Sequence, residues 1–474
     1  MQYTEGLSFS GKTMSSLPAV LQQIDSDSDA ALSRLFALLK IKSISTDPAF
    51  ATDCIKGADW LVDELKSIGI DASRRDTPGH PMVVGHSKKV EGKPHVLFYG
   101  HYDVQPVDPL ELWDRDPFDP AIEQTPDGTV IRARGAADDK GQLMTFVEAC
   151  RAWQSVNSEL PVNITFLFEG EEESGSPSLV PFLESNKDEL SVDLALVCDT
   201  GMWDANTPAI CTMLRGMLGE EITLTAADKD LHSGMFGGPA TNPVRVLARV
   251  LAGLHDDDGR VTVPGFYDGV DPLPAQIKEQ WAGLGFNESE FLGSVDLSVN
   301  AGEKGYTALE HLWSRPTCEF NGIDGGYTGE GFKTVLPSKA SAKISFRLVG
   351  NQDPLKIRDS FRTYVKENLP ADCSVEFEDH GASPATTMSV ENSAFENCRI
   401  ALTQEWQQDA VYAGCGGSIP VVGYFSEILD MESLLVGFGL DDDQIHSPNE
   451  KYNLQSFQKG IRSWARVLDT LANS

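Results

Sequence analysis

Five short segments, three of them directly behind an apolar run, constrain this chain most strongly. They are His101-Tyr102-Asp103, the stretch 135–141 around Asp138, the glutamate cluster 169–176, Asp199, and the stretch 445–448 with His446. Together they carry two imidazoles and at least five carboxylates, the donor inventory of a two-metal hydrolase. Val96-Leu97-Phe98-Tyr99-Gly100 precedes His101, Ile164-Thr165-Phe166-Leu167-Phe168 precedes the glutamates, and 194–198 precedes Asp199. Helical periodicity fills the intervals, over 141–154 and 177–190, as it does earlier over 29–40 and 55–68. Buried strands alternating with helices predict an α/β fold, a doubly wound sheet with a parallel-strand core. Ligands of such sheets bind beyond the carboxyl ends of the strands. His101, Glu172, Glu173 and Asp199 all fall there, and Asp138 reaches the same region from the turn before 141–154.

The pattern changes after about Arg215. Residues 220–226 read as a strand, and Asn242-Pro243 opens a helix with a capping residue and Pro at its first position. The stretch 255–335 is rich in loop signals. Ala340, Ala342, Ile344, Phe346 and Leu348 alternate with polar residues, as a strand with one buried face does, and 354–368 reads as a helix. A chain of 474 residues is too long for one ordinary core. The expected organisation is a catalytic domain in two parts, 19–212 and 389–474, with an inserted α+β domain at 213–388. The first eighteen or so residues are expected to form a loose tail, and a helix over 454–471 closes the chain.

The formal net charge of −33 argues against nucleic acid or an anionic membrane surface as a partner. No window approaches the roughly 18 apolar residues of a membrane span, and the N-terminus lacks a secretory apolar run. Eight cysteines without a CxxC pair read as buried thiols in a reducing, cytoplasmic setting.

Asp138, flanked by the turn-permitting Gly135 and Gly141, suits a carboxylate that bridges two divalent ions. His101 and Asp103, two apart at a strand end, can face one side, so that Asp103 holds a metal-bound imidazole. Of the adjacent Glu172 and Glu173, one can ligate while the other takes a proton from activated water. Glu171 is expected to be a solvated neighbour, and Asp441-Asp442-Asp443 a solvated loop.

Read in order, H-x-D-V, R-G-x-x-D-x-K-G, E-G-x-E-E-x-G-S, a later Asp, D-L-H-S-G and a final H-S-P-N-E resemble the M20 family of metallopeptidases over nearly the whole chain. The likeness is strongest to its carnosinase-like, cytosolic dipeptidase branch. That resemblance implies two Zn2+ per subunit, with Mn2+ or Co2+ suited to the same donors. One would be held by His101, Asp138 and Asp199, the other by Asp138, Glu173 and His446. It makes Glu172 the general base, Asp103 the residue that orients His101, and Asp138–Asp139 a cis peptide. It makes the inserted domain a lid that forms a homodimer, with His232 crossing to the partner subunit to stabilise the oxyanion. Arg347 would bind the substrate's terminal carboxylate, and Thr334, His380, Gly417 and Ser418 would contact substrate.

The branch usually carries Arg-Glu before Gly-Gly-Ser-Ile-Pro, where this chain has Gly414-Cys415. It usually has a Trp near 382–385, absent here. Both changes imply a roomier or altered substrate site. The expected reaction is hydrolysis of a dipeptide or related aminoacyl amide. The alternatives are an N-acyl amino acid amidohydrolase and a non-catalytic metal-binding assembly protein.

Overall fold

The computed structural model describes residues 16–473. Most of the expected N-terminal tail lies outside them, but residues 17 and 18 already belong to the helix Leu17–Ser26, with Pro in its first turn. The chain forms two compact units. The first comprises 16–210, 390–411 and 428–473; the second comprises 211–389 and 412–427.

In the first unit, His95–His101 pairs in parallel with Asn163–Glu169 on one side and Leu194–Val197 on the other. Ser433–Leu435 continues the parallel set beside Leu194–Val197. Two strands not foreseen from the sequence, Met82–His86 and Asp71–Arg75, extend the sheet antiparallel from Asn163–Glu169. The sheet is therefore mixed, with the parallel strands as a contiguous set within it. The helix Lys140–Asn157 is buried over most of its surface. Phe146 stacks on Phe98 with ring centroids 3.7 Å apart, and Trp464 of the terminal helix Leu454–Ala472 meets both edge-on. Each such buried ring contributes about 1.5–3 kcal/mol. The predicted helix over 177–190 is two, Leu179–Ser185 and Lys187–Leu190, separated by Asn186.

A separate three-stranded sheet joins Ala121–Thr125, Gly128–Arg132 and Lys451–Asn453. It brings residues just before 451 alongside the 135–138 turn, a placement the sequence did not reveal.

In the second unit, four antiparallel strands run in the order Thr317–Gly325, Lys339–Leu348, Gly216–Thr225, Ser374–Ser383. The alternation read over 340–348 is realised: its apolar residues join Leu218, Ile222 and Leu224 beneath the helices Pro243–Ala252 and Pro354–Glu367. Asn242 caps the first of these, its side chain accepting from the Val244 N–H. The loop-rich stretch 255–335 also contains the helices Ala275–Ala282, Glu288–Gly293 and Ala308–Trp313, each too short for a clear period. No helix of the described residues is long and apolar enough to cross a membrane.

Candidate metal centre

The parallel strands deliver their charged residues to one end. His101 is the last residue of its strand, Asp199 follows Leu194–Val197 by two residues, and Glu172 and Glu173 form a turn just after Asn163–Glu169. Asp138 sits two residues before the helix Lys140–Asn157, joined to the N-cap residue Asp139 by a cis peptide bond. Gly135 has φ +80°, and a Cβ on Gly141 would lie 1.9 Å from the Ala136 carbonyl oxygen, so this turn admits only glycine at both places.

Asp138 presents its two oxygens to different imidazoles. Oδ1 lies 3.0 Å from His101 Nε2, and Oδ2 lies 2.9 Å from His446 Nε2. Asp199 Oδ2 stands 4.0 Å from the same His101 nitrogen, and Glu173 Oε2 is 3.2 Å from the same His446 nitrogen. Two donor triplets result, His101–Asp138–Asp199 and Asp138–Glu173–His446, each with its ligand atoms within 4.8 Å of one another. They share the Asp138 carboxylate.

The residues behind the triplets hold them in place. Asp103 Oδ1 is 3.4 Å from His101 Nδ1, and the two Asp103 oxygens accept the N–H groups of Glu172 and Glu173 at 3.2 and 3.0 Å. One carboxylate thus orients the imidazole and fixes the turn bearing both glutamates. Gln105 donates to Glu173 Oε2 at 2.7 Å, and Asp139 accepts the His101 N–H. Glu450 accepts from the N–H groups of Gly135, Ala137 and Asp138 and from Arg134 Nη1. Sequence reasoning missed the bracing by Gln105, Asp139 and Glu450, although Glu450 closes the final H-S-P-N-E segment. Two expectations are corrected. Glu171 is buried, accepting from the N–H groups of His80 and Ser178; Asp443 is buried, accepting from the Leu440 N–H and Lys451 Nζ.

The charge balance points to cations. Burial, then the neighbouring charges of Asp138 and Asp139, pushes the Asp199 carboxyl well above the usual range. Burial likewise raises Glu172, with Glu173 and Asp103 adding to it against the charge of His101. Hydrogen bonding to Asp138 and Glu173 raises His446 to about 10. Five carboxylates (Asp103, Asp138, Glu172, Glu173, Asp199) crowd against two imidazoles, and packed charges of one sign require compensation. Nitrogen and oxygen donors in two triplets around a shared carboxylate fit two divalent cations.

The second unit carries the remaining predicted residues. His232 is exposed and its Nδ1 accepts the Gly234 N–H at 3.0 Å, so the neutral ring bears its proton on Nε2. The strand Leu231–His232 pairs with Val335–Leu336, and Ser233 N donates to the Thr334 carbonyl, bringing His232 and Thr334 together. Arg347 Nη1 donates to Ser418 Oγ at 3.2 Å. Gly417 N donates to Cys415 Sγ at 3.4 Å. His380 Nε2 lies 3.4 Å from Glu221 Oε2, in a group that also includes Glu378. At 414 the site is altered rather than roomier: a Cβ there would lie 2.5 Å from Trp313 Cβ, so that side chain occupies the space.

Residues 97–470 match the family described as Peptidase family M20/M25/M40. A Cys-Gly metallodipeptidase of Schizosaccharomyces pombe is 29% identical over 473 residues, covering 97% of this chain and 99% of that protein. A human Beta-Ala-His dipeptidase is 28% identical, covering 95% and 91%. The solved structure of an M20 family metallo-carboxypeptidase from Sulfolobus solfataricus superposes with a TM-score of 0.80 at 31% identity, covering 94% of this chain and 99% of that one. With its paired donor triplets set at the strand ends, the chain belongs to the M20/M25/M40 peptidase family and is a metallopeptidase.

Proposed function

We propose that this protein is a di-zinc dipeptidase of the carnosinase-like branch, cytoplasmic and homodimeric, with residues 213–388 serving as lid and dimerisation domain between 19–212 and 389–474. The observation that carries the reading is Asp138, whose two oxygens face two different imidazoles. His101, Asp138 and Asp199 would hold one zinc, and Asp138, Glu173 and His446 the other. Bound there, the cations supply Lewis-acid polarisation of the scissile carbonyl and lower the pKa of a water.

The chain's own groups do the rest. Glu172 takes the proton of the attacking water and gives it to the leaving amine. Burial and the neighbouring carboxylates raise its pKa, which makes it a better proton acceptor than an ordinary carboxylate. Asp103 keeps His101 in the tautomer whose Nε2 faces the cation. His232, with its proton on Nε2, donates to the oxyanion of the partner subunit's substrate. Arg347 binds the substrate's free carboxylate, supported by Ser418. Thr334, Gly417 and His380 complete the substrate contacts. Buried thiols at Cys54, Cys150, Cys198, Cys211, Cys318 and Cys398 support a reducing compartment.

The alternative reading is an N-acyl amino acid amidohydrolase. A free α-ammonium needs an acidic partner, and Cys415 stands where the branch usually has Glu. The deciding experiment assays the metal-stripped protein, reloaded with Zn2+ or Mn2+, on matched dipeptides and N-acetyl amino acids, with Glu172→Ala as control. Metal-dependent dipeptide cleavage, absent in the variant, is the expected result. Cleavage confined to the acetylated substrates would transfer the protein to the amidohydrolase class.

A further inference from the structure

Beside Arg347 the second unit holds another arginine that the proposed reaction does not use. Arg215 lies two residues before Met217, which stands opposite Arg347 in the sheet register. Its Nε donates to the Gly416 carbonyl at 2.9 Å and its Nη1 to the His311 carbonyl at 3.3 Å. A guanidinium has five N–H donors. Two bonds to fixed carbonyls set its plane and leave three donors, both of those on Nη2 among them. Arg215 lines a small groove with Ser418, Ser383, Thr386 and Tyr424.

Among the described residues, neither arginine forms an ion pair: Arg215 meets carbonyl oxygens, and Arg347 meets Ser418 Oγ. Burial and the charge of Arg347 lower the Arg215 guanidinium to about 10. Cys415, the loop side chain nearest in sequence to these contacts, brings no carboxylate, and the charge of Glu319 is the weakest influence on Arg215. Glu427 also lines the groove, without an ion pair to Arg215. Two partly desolvated cations side by side are costly until an anion joins them.

We propose that Arg215 and Arg347 form a two-guanidinium anion site that selects substrates whose C-terminal residue bears a side-chain carboxylate, the Asp and Glu class. Arg347 takes the α-carboxylate, and Arg215 pairs with the second carboxylate in the planar, two-point manner that guanidinium favours. This inference rests on the reading of Arg347 given above.

The test compares C-terminal Glu with its isostere Gln, presented both as Ala dipeptides and as N-acetyl amino acids, for the wild type, Arg215→Gln and Arg215→Lys. The expected result is a kcat/KM at least tenfold higher for Glu than for Gln. That ratio collapses in Arg215→Gln and is partly kept in Arg215→Lys, which retains the charge but not the carbonyl contacts. Calorimetric titration of free glutamate against free glutamine into the same three proteins reads the preference without turnover. Equal treatment of Glu and Gln by the wild type, in both turnover and binding, overturns the proposal. So does a Glu preference that survives Arg215→Gln, or a loss shared equally by both substrates. Failure of the dipeptidase reading looks different: the Glu preference is then confined to the acetylated series, or to binding alone.

Discussion

The two units hold their candidate site residues in opposite ways. In the first, much of the cluster is tied from behind, His446 being the exposed exception. Asp103 grips an imidazole and two backbone N–H groups, Glu450 grips three N–H groups and a guanidinium, and Asp139 holds the end of the His101 strand. In the second, His232, Thr334 and His380 are exposed, and the side chains of His232, Arg347 and His380 each make a single polar contact. Ion-holding geometry must be preorganised to a fraction of an ångström, and buried second contacts supply that precision. The substrate contacts proposed for these residues need no such bracing before the substrate itself arrives.

The contrast predicts where a single change does most damage. Glu450→Gln leaves the buried Arg134 guanidinium without its counter-charge and turns an amide toward backbone donors. Breaking a buried pair in this way costs about 3–5 kcal/mol. Chemical denaturation should register that loss, and cation affinity should fall with it because Asp138 N is one of the groups released. A change under 1 kcal/mol with undiminished affinity would mean that the first unit is no better braced than the second.

How far the sequence revealed this arrangement follows the same division. Periodicity put His101, Glu172, Glu173 and Asp199 at strand ends and Asp138 in the turn before a buried helix, whereas the division into two triplets, and His446 with it, came from the family resemblance. Glu450 was not legible, because its role depends on the pairing of Lys451–Asn453 with Gly128–Arg132, a contact between segments more than 300 residues apart. Glu171 and Asp443 were misread for a related reason. An acidic triplet looks solvated unless one knows which backbone N–H groups surround it. The short helices between 275 and 313 escaped because fewer than three turns give no usable period.

The second prediction sharpens the comparison from the exposed side. His232→Ala removes the Nε2–H donor and should lower kcat by about 10²–10³, the usual cost of an oxyanion donor. Cation content and folding stability should hardly move, since the ring's one contact is to the Gly234 N–H of its own turn. If His232 works across a dimer, mixing His232→Ala with Glu172→Ala and allowing subunits to exchange should restore activity to about a quarter of wild type, because only mixed dimers contain one intact site. Absence of recovery, with exchange verified, would place the histidine's action within its own subunit.

The smallest effect concerns a tightly fitted position in the second unit. Gly414 has no left-handed φ to defend, so any penalty for a side chain there is steric. A Cβ would meet Trp313 Cβ at 2.5 Å and Cγ at 2.7 Å, and the Trp313 ring is itself held edge-on against Trp281, centroids 4.9 Å apart. The indole of Trp281 in turn donates to the Tyr412 carbonyl at 3.0 Å, two residues before Gly414. The tryptophan pair and the strand leading to 414 therefore form a closed circuit, and the overlap cannot be relieved by turning one side chain. Gly414→Ala should cost about 1–3 kcal/mol, as overpacking does. Because the displaced backbone leads directly into Cys415, Gly416 and Ser418, KM should rise more than kcat falls. A neutral outcome in stability would show that the Trp313 ring yields, and that the loop bearing Ser418 is as loosely held as the exposed residues around it.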